Sequence, residues 1–209
     1  MECVGCDNVV DREMTKTVEF LYDFVSAPSY LAWTQMDAIA GEANADLTMT
    51  PVFCAGIFNE TGNPGPLAVP AKREWYARDL ALCAKKQGIP YYMNPNSPIR
   101  TLPLMRGAFV AQERGEIDRY VKAIFEAIFV EVKNMSDVDV VRATLNEAGI
   151  DFEAYWKEIE RDDVKMKLRL NTENAVKRGV FGVPTFFVGD ELFFGQDRLE
   201  FVRDALRAP

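Results

Sequence analysis

The stretch Val18–Trp33, with the sequence VEFLYDFVSAPSYLAW, decides how this chain folds. It begins with an apolar run, rich in Val, Phe, Leu and Tyr, that predicts a buried β-strand ending at Ser26. Ser26 is suited to cap a helix because its hydroxyl can satisfy an unpaired backbone N–H group, and Pro28 fits the first helical turn. The sequence therefore predicts a strand that passes directly into a helix.

The predicted junction at Ser26 is also the candidate reaction centre. Where a helix begins at the carboxyl end of a strand, its N–H groups and the positive end of its dipole attract an anion. Ser26-Ala27-Pro28-Ser29 has the spacing of a Cys-x-x-Cys redox site, with oxygen in place of both sulfurs. Such a site cannot perform disulfide chemistry with its own side chains, so we expect the reactive thiol to come from a ligand.

Length, composition and charge limit the class of protein. The chain has 209 residues, of which 48% are hydrophobic and 27% charged, as in a globular protein with a sizeable core. Its net charge of -8 opposes binding to nucleic acid or to an anionic membrane. No secretory signal and no segment long enough to span a bilayer is evident, so we expect a cytoplasmic protein.

The sequence contains no histidine and only four cysteines. Without histidine there is no Ser-His-Asp or Cys-His catalytic set, and any general base is a carboxylate, Lys, Tyr or part of a ligand. Four cysteines do not form a disulfide framework, in agreement with a reducing compartment. Cys3 and Cys6 have redox or metal-site spacing, but they lie in a polar segment, residues 1–16, that we interpret as a mobile tail, and we expect no metal site.

The first half of the chain predicts a β-α-β unit. The first helix ends near Gly41, and residues 47–53 predict a second strand, in which Pro51 indicates a sheet edge or a strand end. Residues 55–66 are dense in turn-forming residues and predict a long loop.

The second half predicts helices followed by a β-β-α unit. Residues 71–178 carry successive helical patterns, of which the last two meet at residues 163–164. Thr185–Val188 and Glu191–Phe194 predict a hairpin, and a final helix opens at residues 195–197. This order is the thioredoxin topology, an α/β fold, with a large all-helical insertion. We divide it into a discontinuous thioredoxin-like domain, residues 17–70 and 179–209, and a helical insertion domain, residues 71–178.

Pro184, in the sequence Gly182-Val183-Pro184-Thr185, lies where thioredoxin-like proteins keep a cis-proline. A cis bond would turn the backbone of Val183 out of the sheet, where it could pair with an extended, peptide-like ligand. In isolation a trans proline at a strand start is the ordinary interpretation. The Ser26 junction upstream and the hairpin and helix downstream favour the cis form.

Several segments resemble one known family. Residues 181–185, FGVPT, followed by residues 189–199, GDELFFGQDRL, resemble the C-terminal signature of 2-hydroxychromene-2-carboxylate isomerases, which group with the kappa-class glutathione transferases in the DsbA-like branch of the thioredoxin fold. The resemblance covers about Thr17 to Leu206 and includes YDFVS (22–26), GIF (56–58), GN (62–63) and VPAK (69–72). It implies glutathione as cofactor, a small aromatic substrate and a homodimer.

The resemblance also implies roles for the residues that match. Ser26 would donate its hydroxyl to the glutathione sulfur and favour the thiolate; a serine nucleophile is the competing interpretation, but it needs a base, for which only Lys72 is plausible. The Val183 backbone, before Pro184, would pair with the cysteinyl part of glutathione. Asn63 and Lys72 would hold its glycyl end, although Lys72 by itself resembles a surface lysine.

The γ-glutamyl end of glutathione would bind at the start of the last helix. There the backbone N–H groups of Gln196, Asp197 and Arg198 would hold its carboxylate, and Asp197 would hold its ammonium group or act as a plain helix cap. Two departures from the family pattern concern the substrate side of the site. Pro28 stands one place later than the family's proline, and Arg100 replaces an Asn; Arg100 would pair with a substrate carboxylate or be a surface charge.

The reaction implied is a cis-trans isomerisation that links 2-hydroxychromene-2-carboxylate and trans-o-hydroxybenzylidenepyruvate. Three alternatives remain open from the sequence. The first is a glutathione transferase that conjugates or reduces electrophiles, and the second is a non-catalytic protein that binds glutathione or another ligand. The third is a DsbA-like disulfide oxidoreductase, which would require cysteine at the position of Ser26.

Overall fold

A mixed four-stranded β-sheet lies at the centre of the molecule. The computed structural model describes residues 15–208; Cys3 and Cys6 of the predicted tail lie outside this range, as does residue 209. The strands are β1 (Thr17–Tyr22), β2 (Asp46–Pro51), β3 (Thr185–Val188) and β4 (Glu191–Phe194). Their order is β2-β1-β3-β4, with β1 parallel to β2 and the other pairs antiparallel. The strand that ends in Pro51 is therefore an edge strand, as its proline indicates.

The rest of the described chain is mainly helical. The helices are α1 (Ala27–Glu42), α2 (Cys54–Thr61), α3 (Pro70–Gln87), α4 (Leu102–Glu113), α5 (Ile117–Phe129), α6 (Val138–Glu147), α7 (Phe152–Glu158), α8 (Asp162–Lys177) and α9 (Leu199–Arg207). A 3-10 turn, Gln196–Arg198, leads into α9. The predicted α/β thioredoxin-like fold with a helical insertion is thus confirmed. The domain boundaries at residues 71 and 178 stay a prediction. Within residues 15–208, no helix combines the length and apolar character needed to cross a membrane.

Successive residues of β1 enter two different apolar cores. Phe20 faces the core formed with α1, α9 and most of the insertion, where its ring stacks on that of Phe186 with centroids 5.2 Å apart. Leu21 faces the opposite core, which contains Phe187, α2 and the end of α8. Because both faces of the sheet are buried, β1 has a nearly continuous apolar sequence instead of a polar and apolar alternation.

The prediction that the first strand extends to Ser26 was wrong, because β1 ends at Tyr22. The side chain of Asp23 accepts a hydrogen bond from the N–H of Val25 at 3.0 Å, and the carbonyl of Asp23 accepts one from the N–H of Ser26 at 3.0 Å. These local bonds satisfy the backbone in a turn, so the chain leaves the sheet before the helix begins.

The prediction of a loop over residues 55–66 was also wrong in its first half, which forms α2. The helix buries Ile57, and Gly56 lets it approach α8, since a Cβ at that position would lie 3.1 Å from a methyl carbon of Thr172. Gly62, with a φ of 70°, ends the helix, and the turn-forming residues follow it. Packing against α8 therefore overrides a local sequence with weak helical preference.

Two further boundaries differ from those predicted. α7 ends at Glu158 and α8 begins at Asp162, so the division between these helices lies before the predicted one at residues 163–164. The final helix is also entered through the 3-10 turn, so residues 196–198 are not part of α9. The hairpin is as predicted, and Gly189, at its turn, has a φ of 60° that favours glycine.

Candidate active site

Ser26 is the N-cap residue of α1, and its hydroxyl has two partners. It accepts a hydrogen bond from the N–H of Ser29 at 3.1 Å, which caps the helix. It also donates a hydrogen bond to the carbonyl oxygen of Val183 at 3.2 Å. The Ser26 side chain thus connects the start of α1 to the segment before β3, although 157 residues separate them in sequence.

The peptide bond between Val183 and Pro184 is cis. The carbonyl of Pro184 accepts a hydrogen bond from the N–H of Gly195 at 3.0 Å, and the Thr185 hydroxyl donates one to the carbonyl of Gly182 at 2.8 Å. These contacts bring three predicted parts of the site together at one end of the sheet: Ser26, the Val183–Pro184 segment and the turn that begins after Gly195.

The three residues of the 3-10 turn differ sharply in their exposure. Asp197 and Arg198 are exposed and form an ion pair, in which Nη1 of Arg198 lies 3.5 Å from Oδ2 of Asp197. Gln196 is buried and contacts α3. The side chain of Gln196 therefore does not face a ligand, and only its backbone is available for the contact implied by the resemblance.

Asn63 and Lys72 lie on either side of the loop between α2 and α3. The amide of Asn63 donates to the carbonyl of Phe181 at 2.8 Å and accepts from the N–H of Gly65 at 2.9 Å, so it ties this loop to the segment just before Gly182. Lys72 lies in the first turn of α3 and is exposed, and no ion pair forms with it among residues 15–208. Lys72 is thus available to an anionic ligand, whereas the Asn63 amide is largely used within the chain.

Arg100 is exposed on the segment that leads into α4, and its backbone N–H donates to the Ser136 hydroxyl at 2.9 Å. Its neighbour Thr101 is buried and hydrogen-bonds the carboxyl group of Asp23. Thr101, at the start of α4, thus contacts the turn that precedes Ser26 through the Asp23 carboxyl group. Arg100 is the residue next to Thr101 in sequence.

Asp23 is a site residue to which sequence reasoning assigned no role. It is completely buried, and its carboxyl oxygens accept hydrogen bonds from the N–H groups of Val25, at 3.0 Å, and Cys54, at 2.8 Å. With Thr101 it joins the starts of α1, α2 and α4. Burial raises the pKa of this carboxyl group, against the lowering effect of its donors. The available signal was an Asp inside the apolar run that begins with β1, where a charged residue is unfavourable unless hydrogen-bonded.

Neither the Ser26 hydroxyl nor the Cys54 thiol is placed as an activated nucleophile. Neither partner of the Ser26 hydroxyl, a backbone N–H and a backbone carbonyl, is a base, so the structure gives no support to a serine nucleophile. The nearby thiol of Cys54 is buried, and burial followed by the charge of Asp23 raises its pKa. This thiol therefore stays neutral and unreactive at neutral pH.

Comparison with known proteins identifies the class to which this arrangement belongs. A family model for the DSBA-like thioredoxin domain matches residues 17–207, so the chain belongs to the family of DsbA-like thioredoxin domains. Within that family it differs from a disulfide oxidoreductase in carrying serine at both redox positions, Ser26 and Ser29.

Its relatives narrow the class further. The chain is 27% identical to a 2-hydroxychromene-2-carboxylate isomerase of Sphingobium xenophagum, over 92% of this chain and 99% of that protein. It is also 27% identical to the glutathione S-transferase kappa 2 of Caenorhabditis elegans, over 93% of each chain. A solved structure of a 2-hydroxychromene-2-carboxylate isomerase matches with a TM-score of 0.81 at 26% identity, over 91% of this chain and 94% of that one. The family resemblance predicted from the sequence is confirmed.

Proposed function

We propose that this protein is a glutathione-dependent cis-trans isomerase of the 2-hydroxychromene-2-carboxylate isomerase type. The observation that carries the proposal is the contact between the Ser26 hydroxyl and the Val183 carbonyl, at the N-terminus of α1, in a chain without histidine. The names of two relatives support it. We also propose a cytoplasmic homodimer, as the resemblance implies.

The residues around Ser26 fit the cysteinyl part of glutathione. The Ser26 hydroxyl and the Val183 carbonyl are hydrogen-bonded to each other in the structure. Both the hydroxyl donor and the carbonyl acceptor therefore become available to a ligand when the hydroxyl proton turns away. The hydroxyl can then donate to a sulfur atom, while the Val183 carbonyl accepts the N–H of the cysteinyl residue. The hydroxyl oxygen still accepts the hydrogen bond from the Ser29 N–H when its proton turns from the Val183 carbonyl to the sulfur. Only one hydrogen bond of the hydroxyl therefore has to change partner.

The two ends of the tripeptide find groups of suitable charge. Asp197 offers an exposed carboxylate to the ammonium group of the γ-glutamyl end, and the N–H groups at the start of the turn suit the carboxylate there. Lys72 offers an ammonium group to the glycyl carboxylate. Asn63 holds the loop between α2 and α3 in place through its hydrogen bond to the Phe181 carbonyl.

When bound, glutathione supplies a thiolate that adds reversibly to the conjugated system of the substrate, which allows rotation about the former double bond. Ser26 and the positive end of α1 stabilise the ionised sulfur over the neutral thiol. Arg100, exposed near Thr101, is proposed to pair with the carboxylate of the substrate.

The test follows the interconversion of 2-hydroxychromene-2-carboxylate and trans-o-hydroxybenzylidenepyruvate by absorbance, with and without glutathione. We expect turnover that requires glutathione and leaves its concentration unchanged. The kappa-class relative supports a second candidate, a transferase that acts on electrophiles, and stoichiometric loss of glutathione would favour it. Binding of glutathione without turnover of any isomer or electrophile would instead indicate a binding protein.

A further inference from the structure

Gln196 is the buried residue of the turn proposed to bind the γ-glutamyl end of glutathione. Only 8% of it is exposed, whereas Asp197 and Arg198 on the same turn are exposed. A buried amide side chain is retained only where its polar atoms find partners, because an unpaired one is costly. The partners of Gln196 therefore show what holds this turn in place.

Both partners lie on α3, one helical turn apart. The Nε2 group of Gln87 donates to the Oε1 atom of Gln196 at 3.3 Å, and the Nε2 group of Gln196 donates to the Sγ atom of Cys83 at 3.4 Å. The Oε1 atom of Gln87 is buried and has no partner within the described chain. An apolar residue at position 87 would remove that unpaired atom but would leave the buried Oε1 atom of Gln196 without its donor, so the value of Gln87 lies in the bond that it makes to Gln196.

The backbone of the turn is held at its other end by the segment before β3. The N–H of Gly195 donates to the Pro184 carbonyl at 3.0 Å, and Gly195 has a φ of 105° that favours glycine. A Cβ on Gly195 would lie 2.5 Å from Oδ1 of Asp197, so the Asp197 carboxylate folds back over this glycine. The position of Asp197 thus depends on two anchors, the Pro184 carbonyl for the backbone and α3 for the side chain of Gln196.

We infer that Gln87 and Cys83 are positioning residues for the γ-glutamyl end of glutathione, acting through Gln196 on Asp197 and on the N–H groups of the turn. This inference rests on the proposed function. Lys72 lies in the first turn of the same helix, so α3 contributes to both ends of the tripeptide site. The consequence is selectivity for a γ-glutamyl thiol over one that lacks this group.

Calorimetric titration with glutathione tests the inference on purified variants. Replacing Gln87 by Met keeps the side-chain size but removes the donor, and we expect the Kd for glutathione to rise about fivefold, the effect of one net hydrogen bond. Cys83→Ala should give a smaller rise, and Cys83→Ser, which retains an acceptor, should restore the wild-type Kd. Lys86→Ala, at an exposed position on α3, is the control. The kcat at saturating glutathione should be unchanged in all four variants.

A double-mutant cycle with Asp197→Asn separates positioning from general stability. If the anchor acts through the turn, Gln87→Met should raise the Kd much less in the Asp197→Asn background than in the wild type. An equal rise in both backgrounds, or unchanged affinity in Gln87→Met and Cys83→Ala, would overturn the inference and leave the proposed function standing. Absence of glutathione binding by the wild-type protein would overturn the proposed function and the inference together.

Discussion

The hydroxyl group of Ser26 donates a hydrogen bond to the carbonyl oxygen of Val183, 3.2 Å away. This contact joins the N-terminus of α1 to the backbone before Pro184, two positions on opposite sides of the helical insertion in sequence. The Ser29 N–H holds the same hydroxyl, so one small side chain caps a helix and faces the peptide segment proposed to bind a thiol. The catalytic proposal depends on this double role.

Replacing Ser26 by Ala should lower kcat/KM roughly 100-fold, because it removes a donor aimed at the proposed thiolate. The lost helix cap should lower the free energy of unfolding by only about 1 kcal/mol. Isomerisation kinetics and urea denaturation measure the two effects separately.

Ser29→Ala is the matched control for that change. The Ser29 hydroxyl is buried and has no hydrogen-bond partner among residues 15–208, so its removal should leave turnover unchanged and stabilise the protein by up to about 1 kcal/mol. If Ser26→Ala retained wild-type turnover, or if both variants lost it equally, the role assigned to Ser26 would be wrong.

Lys72→Ala should raise the KM for glutathione by about 1.4-fold to fivefold, because an exposed ion pair is worth roughly 0.2–1 kcal/mol. The effect should shrink as salt is added, since exposed charges are screened. Lys85→Ala, an exposed lysine near the other end of α3, is the control and should leave KM unchanged. A KM equally insensitive to both substitutions would remove Lys72 from the site.

Asp23 predicts a pH dependence of stability. Because burial raises the pKa of its carboxyl group in the folded state, this carboxyl favours folding most below the unfolded pKa, near 3.8. That contribution is lost as the pH rises through the folded pKa. The neighbouring groups Tyr22 and Cys54 have pKa values raised by burial and stay neutral in this range.

Asp23→Asn cannot titrate and therefore isolates this effect. The difference in the free energy of unfolding, wild type minus variant, should fall as the pH rises from about 4 to 7, as measured by urea denaturation at several pH values. The hydrogen bonds lost in the variant add an offset that does not depend on pH. A difference that stayed constant or grew with pH would contradict a raised pKa for Asp23.

Two helical glycines should respond oppositely to alanine. A Cβ at Gly107 would lie 2.1 Å from the Tyr120 hydroxyl oxygen, which donates to the Leu104 carbonyl, so Gly107→Ala should cost about 1–3 kcal/mol. Gly41, on α1, has open space around it, and Gly41→Ala should add about 0.5–1 kcal/mol. Denaturation curves give both values; a neutral Gly107→Ala would show that the α4–α5 contact is looser than described.

Much of the fold was predictable because its signals are local. The apolar run of β1, the capping Ser26, the Val183-Pro184 pair and the hairpin around Gly189 each have a pattern that short-range chemistry explains. The lack of histidine and the oxygen atoms at both redox positions are likewise properties of the sequence, and they limit the chemistry that the site can perform.

Tertiary structure alone decided the features that depend on distant partners. α2 forms because Ile57 is buried and Gly56 fits against Thr172, and no local pattern reveals that contact. Asp23 is stable inside the protein because groups from three elements meet its carboxyl oxygens. Likewise, Gln87 and Gln196 are 109 residues apart and meet only when α3 packs beside the last turn. Sequence determines what a residue can do, whereas packing determines which group it meets.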